Sequence, residues 1–193
     1  MDSENLIRDL SIVREYFSHN MRTSTAMVVA TVSLFKFGLS DDTDDSMTDM
    51  IIESAYFLDV YDKGMEVMFN YVLGKPIRND KEIFDPVKIT GKVIEDLKCS
   101  IKDQNINVTC IFGEMEIFET NSYVAKTILE LILCEEIRKC TDEISIHTRG
   151  NVLTIKKTNS NDAPEMYKLF TKFLKELNIE LSYSIDIVTM RFA

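Results

Sequence analysis

The sequence predicts an α+β protein in two parts: an antiparallel helical hairpin over residues 1–75 that pairs with a second copy as a four-helix bundle, and an α/β sandwich with a mixed sheet over residues 76–193. Three observations carry this. Apolar residues recur at steps of three and four through two long segments of the first part. A Gly-Lys-Pro break at 74–76 then separates these segments from the rest. Beyond the break, short helical and alternating patterns follow one another in the order helix, strand, helix, strand, strand, helix, strand, strand.

Between Asn5 and Phe37 there is neither glycine nor proline, and Leu6, Leu10, Val13 and Phe17 mark one buried stripe. The stripe loosens around His19 and resumes with Met27, Val28, Val32, Leu34 and Phe35. Gly38 offers a stop, and Ser40 to Asp45 form an acidic turn rich in N-cap residues. Its aspartates lack the spacing and closing glutamate of a calcium loop and read as a solvated turn. A second helix, from about Asp45 to Leu73, has the more regular seam: Met47, Ile51, Ser54, Leu58, Tyr61, Met65, Met68 and Val72. Two helices with seams this wide cannot bury both apolar faces against each other, so a homodimer is expected. The alternative is that the same helices pack onto their own C-terminal part.

In the second part, Asp85-Pro86 opens a helix to about Lys102, with Val87, Val93, Ile94, Leu97 and Ile101 inward. Ile106 to Phe112 alternates as a strand. A heavily apolar helix spans about Ser122 to Lys139. Glu143–Thr148 and Val152–Lys157 form a hairpin about Arg149-Gly150-Asn151, on which His147 faces solvent. A last helix runs from Asp162-Ala163-Pro164 to about Leu177, before strands near Ile179–Ser184 and Ile187–Phe192.

Composition excludes several classes of function. A net charge of −10 offers no basic stripe for nucleic acid or anionic lipid. There is no apolar leader at the N-terminus and no run of roughly 20 apolar residues, so a cytoplasmic protein without membrane association is expected. Cys99, Cys110, Cys134 and Cys140 lack CxxC spacing and read as reduced thiols. With only His19 and His147 present, a histidine-rich metal centre is not expected. The ten methionines read as adaptable packing.

His19 is the residue around which a function can be built. On a helix its face is shared by Arg22, Thr23, Ala26 and Ala30, which set a cation, a hydroxyl and two methyls beside a nucleophilic imidazole. An incidental surface histidine would have the same spacing. The stretch His19-Asn20-Met21-Arg22-Thr23-Ser24, however, resembles the H-box of two-component sensor histidine kinases, in which His is followed by an acid, an apolar residue, Arg, Thr and Pro. His19, Met21, Arg22 and Thr23 match; Asn20 and Ser24 depart. Followed by this order of elements, the hairpin resembles the dimerisation and phosphotransfer domain of such a kinase joined to its ATP-binding domain.

The resemblance also shows what the second part lacks. Where the family's N-box helix carries two magnesium-holding asparagines, this chain aligns Glu130 and Cys134 within Glu130–Arg138. A thiol is a poor ligand for magnesium, and the extra carboxylates would repel a triphosphate. The Asp-x-Gly-x-Gly turn expected after the strand is replaced by Thr158-Asn159-Ser160-Asn161, and no glycine follows Gly150. A phosphate cradle built from backbone normally depends on glycine. The connection from Thr158 to Asp162 leaves no room for a lid over ATP.

The resemblance therefore implies a bundle-type histidine phosphotransferase that uses no ATP and no cofactor of its own. Its partners would be response-regulator receiver domains, each bringing its own magnesium. His19 would carry the phosphoryl group, with Arg22 steadying phosphoryl oxygens or pairing with a neighbouring acid. Thr23 would stand beside the reaction, and Asn20, Ala26, Met27 and Ala30 would meet the regulator. Asn20 cannot act as the kinase's general base, and aspartyl phosphate, a more reactive donor than ATP, tolerates that loss. The alternative is a pseudokinase scaffold or a phosphatase, in which Thr23 positions water, that binds a regulator or a sensor kinase.

Overall fold

The computed structural model describes residues 3–36, 44–78, 81–115, 118–158 and 164–192. Helices α1 (Ser3–Lys36) and α2 (Asp44–Val72) form the hairpin. Most of the expected acidic turn lies outside the described residues; Asp44 and Asp45 open α2. The other end of α2 closes as its sequence predicts. Gly74 takes a φ of +62°, and the Lys75 N–H reaches back 2.8 Å to the Asn70 carbonyl.

The second part comprises β1 (Lys81–Phe84), α3 (Pro86–Asp96), α4 (Lys98–Asp103), β2 (Asn107–Met115), β3 (Phe118–Asn121) and α5 (Ser122–Lys139). These are followed by β4 (Glu143–Gly150), β5 (Val152–Lys157), α6 (Met166–Glu176), β6 (Ile179–Tyr183) and β7 (Ile187–Phe192). Five strands form one sheet in the order β2-β4-β5-β7-β6, with only the β2–β4 pair parallel, which is the expected mixed sheet. Ile144, Ile146, Leu153, Ile155, Val188 and Met190 form its buried face. His147 lies half-buried on the open face, paired in register with Ile111 and Thr154.

Two features differ from the sequence reading. Strands β1 and β3 pair as a small antiparallel ribbon where only linker was expected, because four-residue strands are too short to show an alternation. The helix expected over 85–102 is two helices. Asp85 caps α3 as predicted, accepting the Lys88 N–H at 3.1 Å, but the chain breaks at the buried Leu97. There Glu53 of α2 accepts the Ser100 N–H at 3.0 Å and the Ser100 hydroxyl, so a residue 47 positions away caps the new helix.

Helix α5 is buried almost all round, from Val124 to Ile137, because α2 of the hairpin, α3 and the β1–β3 ribbon pack around it and its Glu136 reaches Lys157 of β5. Gly64 of α2 permits this approach. A Cβ at that position would stand 2.4 Å from the Leu131 Cδ1 of α5 and 2.9 Å from the Phe17 Cε1 of α1. Phe57, Val60, Gly64 and Val67 turn inward alongside the expected seam residues Tyr61, Met68 and Val72. One face of the hairpin is therefore covered by the chain's own C-terminal part. Met27, Val29, Val32 and Leu34 of α1, with Ile52 of α2, remain exposed.

Candidate functional site

His19 sits midway along α1 with its side chain exposed. It borders two depressions. The first, of about 450 Å3, runs along α1 and is lined by Ser11, Arg14, Glu15, Ser18 and Arg22. The second, of about 480 Å3, is a cleft between α1 and the C-terminal half of α5, with Glu135, Arg138, Lys139 and Pro164 on its far wall. The imidazole is thus open to solvent on one side and backed by the second domain on the other.

The residues singled out with His19 separate into two groups. Arg22, Ala26, Met27 and Ala30 are exposed on α1, and Arg22 makes no ion pair with the described residues. The Thr23 hydroxyl donates to the His19 carbonyl at 3.1 Å, which ties it to its own helix. Asn20, by contrast, is buried. Its Nδ2 donates to the Tyr16 carbonyl at 3.0 Å, and its Oδ1 accepts from the Arg138 Nη1 at 3.4 Å. Expected on the partner face, Asn20 instead lies in the contact between α1 and α5, because a 3.6-residue period turns it away from the side of His19 that meets solvent.

Arg138 is the latch of that contact. Besides Asn20 it donates to the Tyr61 hydroxyl on α2 at 2.8 Å, and its guanidinium lies 5.0 Å from the Phe57 ring centroid. Close by, the Tyr16 hydroxyl donates to Glu135 Oε2 at 3.1 Å while Lys139 Nζ pairs with Glu135 Oε1 at 2.9 Å. Burial, and next the Glu135 carboxylate, raise the Tyr16 phenol well above its ordinary value, which keeps it a donor. Glu136 is held on the opposite side, where its Oε1 accepts from the Tyr167 hydroxyl of α6 and its Oε2 forms an ion pair with the buried Lys157 ammonium of β5. Expected only as charges hostile to a triphosphate, these two carboxylates fasten α5 to the hairpin and to the sheet.

The aligned N-box positions are also closed. Cys134 is fully buried against α2, and burial drives its thiol far up from the ordinary cysteine value. Glu130 is 5% exposed and lies 3.9 Å from Lys126 Nζ. Among the described residues no cluster of three or more histidine, cysteine or acidic side chains is placed to hold a metal ion. None of the described helices is long and apolar enough to cross a membrane. The connection expected to be too short for a lid falls largely at 159–163, outside the described residues.

Solved structures share this arrangement. The cytoplasmic segment of the histidine kinase QseC aligns with a TM-score of 0.55 at 6% identity, over 68% of this chain and 92% of that one. The Acinetobacter baumannii histidine kinase AdeS aligns with a TM-score of 0.57 at 12% identity, over 91% of this chain and 97% of that one. The chain has the histidine-kinase fold. No protein-family model and no curated sequence matches it. Within the histidine-kinase fold, α1 and α2 are the helical hairpin and the remainder is the mixed-sheet domain, with His19 on the hairpin where it faces both solvent and α5.

Sequence reasoning did not find Gly64, Tyr16, Glu135 or Arg138 as a connected set. Two signals were present: a glycine inside an otherwise regular helix, and three acids and an arginine inside an apolar one. Their pairing required the helices to be placed in space.

Proposed function

We propose that this chain is a phosphohistidine carrier of a two-component phosphorelay, passing a phosphoryl group between the aspartates of response regulators through His19 and using no ATP. The observation that carries the reading is an exposed imidazole flanked by Arg14 and Arg22 on a histidine-kinase hairpin, next to an N-box helix whose aligned positions are buried in protein packing. An imidazole nitrogen of His19 attacks phosphorus in line. The N–P bond forms as the bond from phosphorus to the aspartyl oxygen breaks, and the electron pair leaves on the carboxylate. Arg22 and Arg14 stabilise the phosphoryl oxygens as charge redistributes. Magnesium arrives with the regulator, so the chain needs no cofactor.

The exposed Ala26 and Ala30 offer a low surface on which a receiver domain can settle beside His19, and Met27 adds an adaptable contact. The uncovered residues Val29, Val32 and Leu34 of α1 are assigned to a second copy, which completes a four-helix bundle in the cytoplasm. A regulator-binding scaffold or phosphatase shares the same surface and is separated from the carrier by chemistry. In the deciding experiment the protein is mixed with phosphorylated response regulators, and acid-labile phosphate is followed on wild type and on His19→Gln. The carrier gains label only as wild type. If a regulator binds and neither protein gains label, the carrier reading fails; disappearance of regulator phosphate would then identify a phosphatase, and its persistence a scaffold.

A further inference from the structure

The five-stranded sheet ends in two unlike edges. At one, β6 is five residues long and carries Glu180, which pairs with Arg191 at 3.9 Å. Brevity and charge of this kind keep an edge from pairing with other chains. At the other, β2 runs for nine residues, and no described strand lies beyond it. Residues 104–113 contain no charge and no proline, and outside 23–35 no other uncharged stretch of the chain is as long. The Asn107 N–H donates to the Asp142 carbonyl at 2.8 Å, so Asn107, Thr109 and Ile111 turn their backbone groups to β4. Those of Val108, Cys110 and Phe112 therefore point away from the sheet. Ile111 is 55% exposed and Phe112 40%, and Cys110 beside them is exposed as well.

We infer that β2 pairs antiparallel with β2 of a second copy, about a two-fold axis at Cys110, and so joins the two sheets into one. The outward backbone groups of one strand must meet those of the other, and centring the axis on Cys110 overlaps all three such residues. About six backbone hydrogen bonds then form, two between the facing Cys110 residues and two in each pairing of Val108 with Phe112. In that register the bulky Phe112 lies across from the smaller Val108, and Ile111 across from Thr109. Asp103 and Glu114 fall outside the paired segment, so two chains that each carry −10 meet where neither presents a charge. That neutrality, together with the self-matching register, favours a second copy over an unrelated partner. A strand pair of about 17 Å over 108–112 buries less than the roughly 1,200 Å2 of a stable interface, so the association is weak and concentration-dependent. It is separate from the hairpin and does not depend on the phosphocarrier reading.

Cys110 is the native reporter, because the axis sets two copies of it opposite each other, about 5.5 Å apart at Cα. The full-length protein is treated with a short bismaleimide over a range of protein concentrations, and the linked residues are identified by peptide mass. A covalent dimer joining Cys110 to Cys110 is expected in wild type and in Cys99→Ser. Ile111→Glu sets two carboxylates diagonally across the axis and should slow this linkage on the order of tenfold. Ile7→Glu, similarly exposed but on α1, leaves it unchanged. Circular dichroism verifies that the variants stay folded; if Ile111→Glu does not, Ile111→Lys takes its place. Amide hydrogen exchange gives a second readout: the N–H groups of Val108, Cys110 and Phe112 should gain protection as the wild-type concentration rises. The inference is overturned if Cys110 links to itself no faster in wild type than in Ile111→Glu, or links mainly to Cys99. It is equally overturned if these three amides exchange at one rate at every concentration.

Discussion

Replacing Gly64 with alanine tests whether α5 really lies against the hairpin, because two physical effects predict opposite signs. In the interior of an isolated helix, glycine to alanine is favourable by about 1 kcal/mol, from helix propensity and lost backbone entropy in the unfolded chain. In the packed structure the new methyl would stand 2.4 Å from Leu131 Cδ1 and 2.9 Å from Phe17 Cε1. Both side chains are fully buried, so neither can move into solvent. To restore contacts of about 3.5–4.0 Å, the Leu131 methyl must move by more than an ångström and the Phe17 ring by well over half of one. Overpacking of this kind costs about 1–3 kcal/mol. With two rigid neighbours the upper part of that range applies, and a net loss of about 1–2 kcal/mol remains after the propensity gain. For a chain of this size that lowers the thermal midpoint by about 2–8 °C. Thermal and urea unfolding of Gly64→Ala provide the assay, with Leu131→Ala as the second arm of a double-mutant cycle. The truncation should make room for the methyl, so the double variant is more stable than the sum of the two single losses implies. A midpoint that rises in Gly64→Ala would mean that α5 does not occupy this groove, and the packing argument would fail.

Two further outcomes follow from the same contact. Arg138→Met removes a charged donor from the buried Tyr61 hydroxyl and should cost about 2–3 kcal/mol, of which little remains when Tyr61→Phe is already present; equal losses in both backgrounds would refute the latch. Burial raises the Glu130 carboxyl above its ordinary value, with Lys126, Lys63 and Lys92 opposing, so the folded state holds that proton more tightly than the unfolded one. Stability contributed by this group therefore falls as pH rises from the unfolded value through the raised folded value. Urea midpoints of wild type and Glu130→Gln should converge at acid pH, with the variant the more stable above that window; a parallel offset at every pH would remove Glu130 as the cause.

Much of the fold was legible in one dimension because it depends on short-range physics. The hairpin helices, the Asp85-Pro86 start, the Gly74 stop and the β4–β5 turn at Gly150 each follow from residues within a few positions of one another. The second seam of the hairpin was also visible, although periodicity states only that a face is apolar and not what covers it. The break at Leu97 was illegible for a different reason: the group that caps α4, Glu53, lies on another helix.

At the candidate site the same division holds. The sequence alone determined that His19 lies on a helix with Arg22 and Thr23 one turn away, since i+3 and i+4 neighbours are set by helix geometry. It also determined that glycines are missing where a nucleotide cradle would need them. Only the tertiary structure decided that Asn20 turns inward to Arg138 and that Tyr16 reaches Glu135. Hydrogen bonds and charge clusters form between side chains brought together from distant positions, and the spacing of residues along the chain does not encode which helix faces will meet.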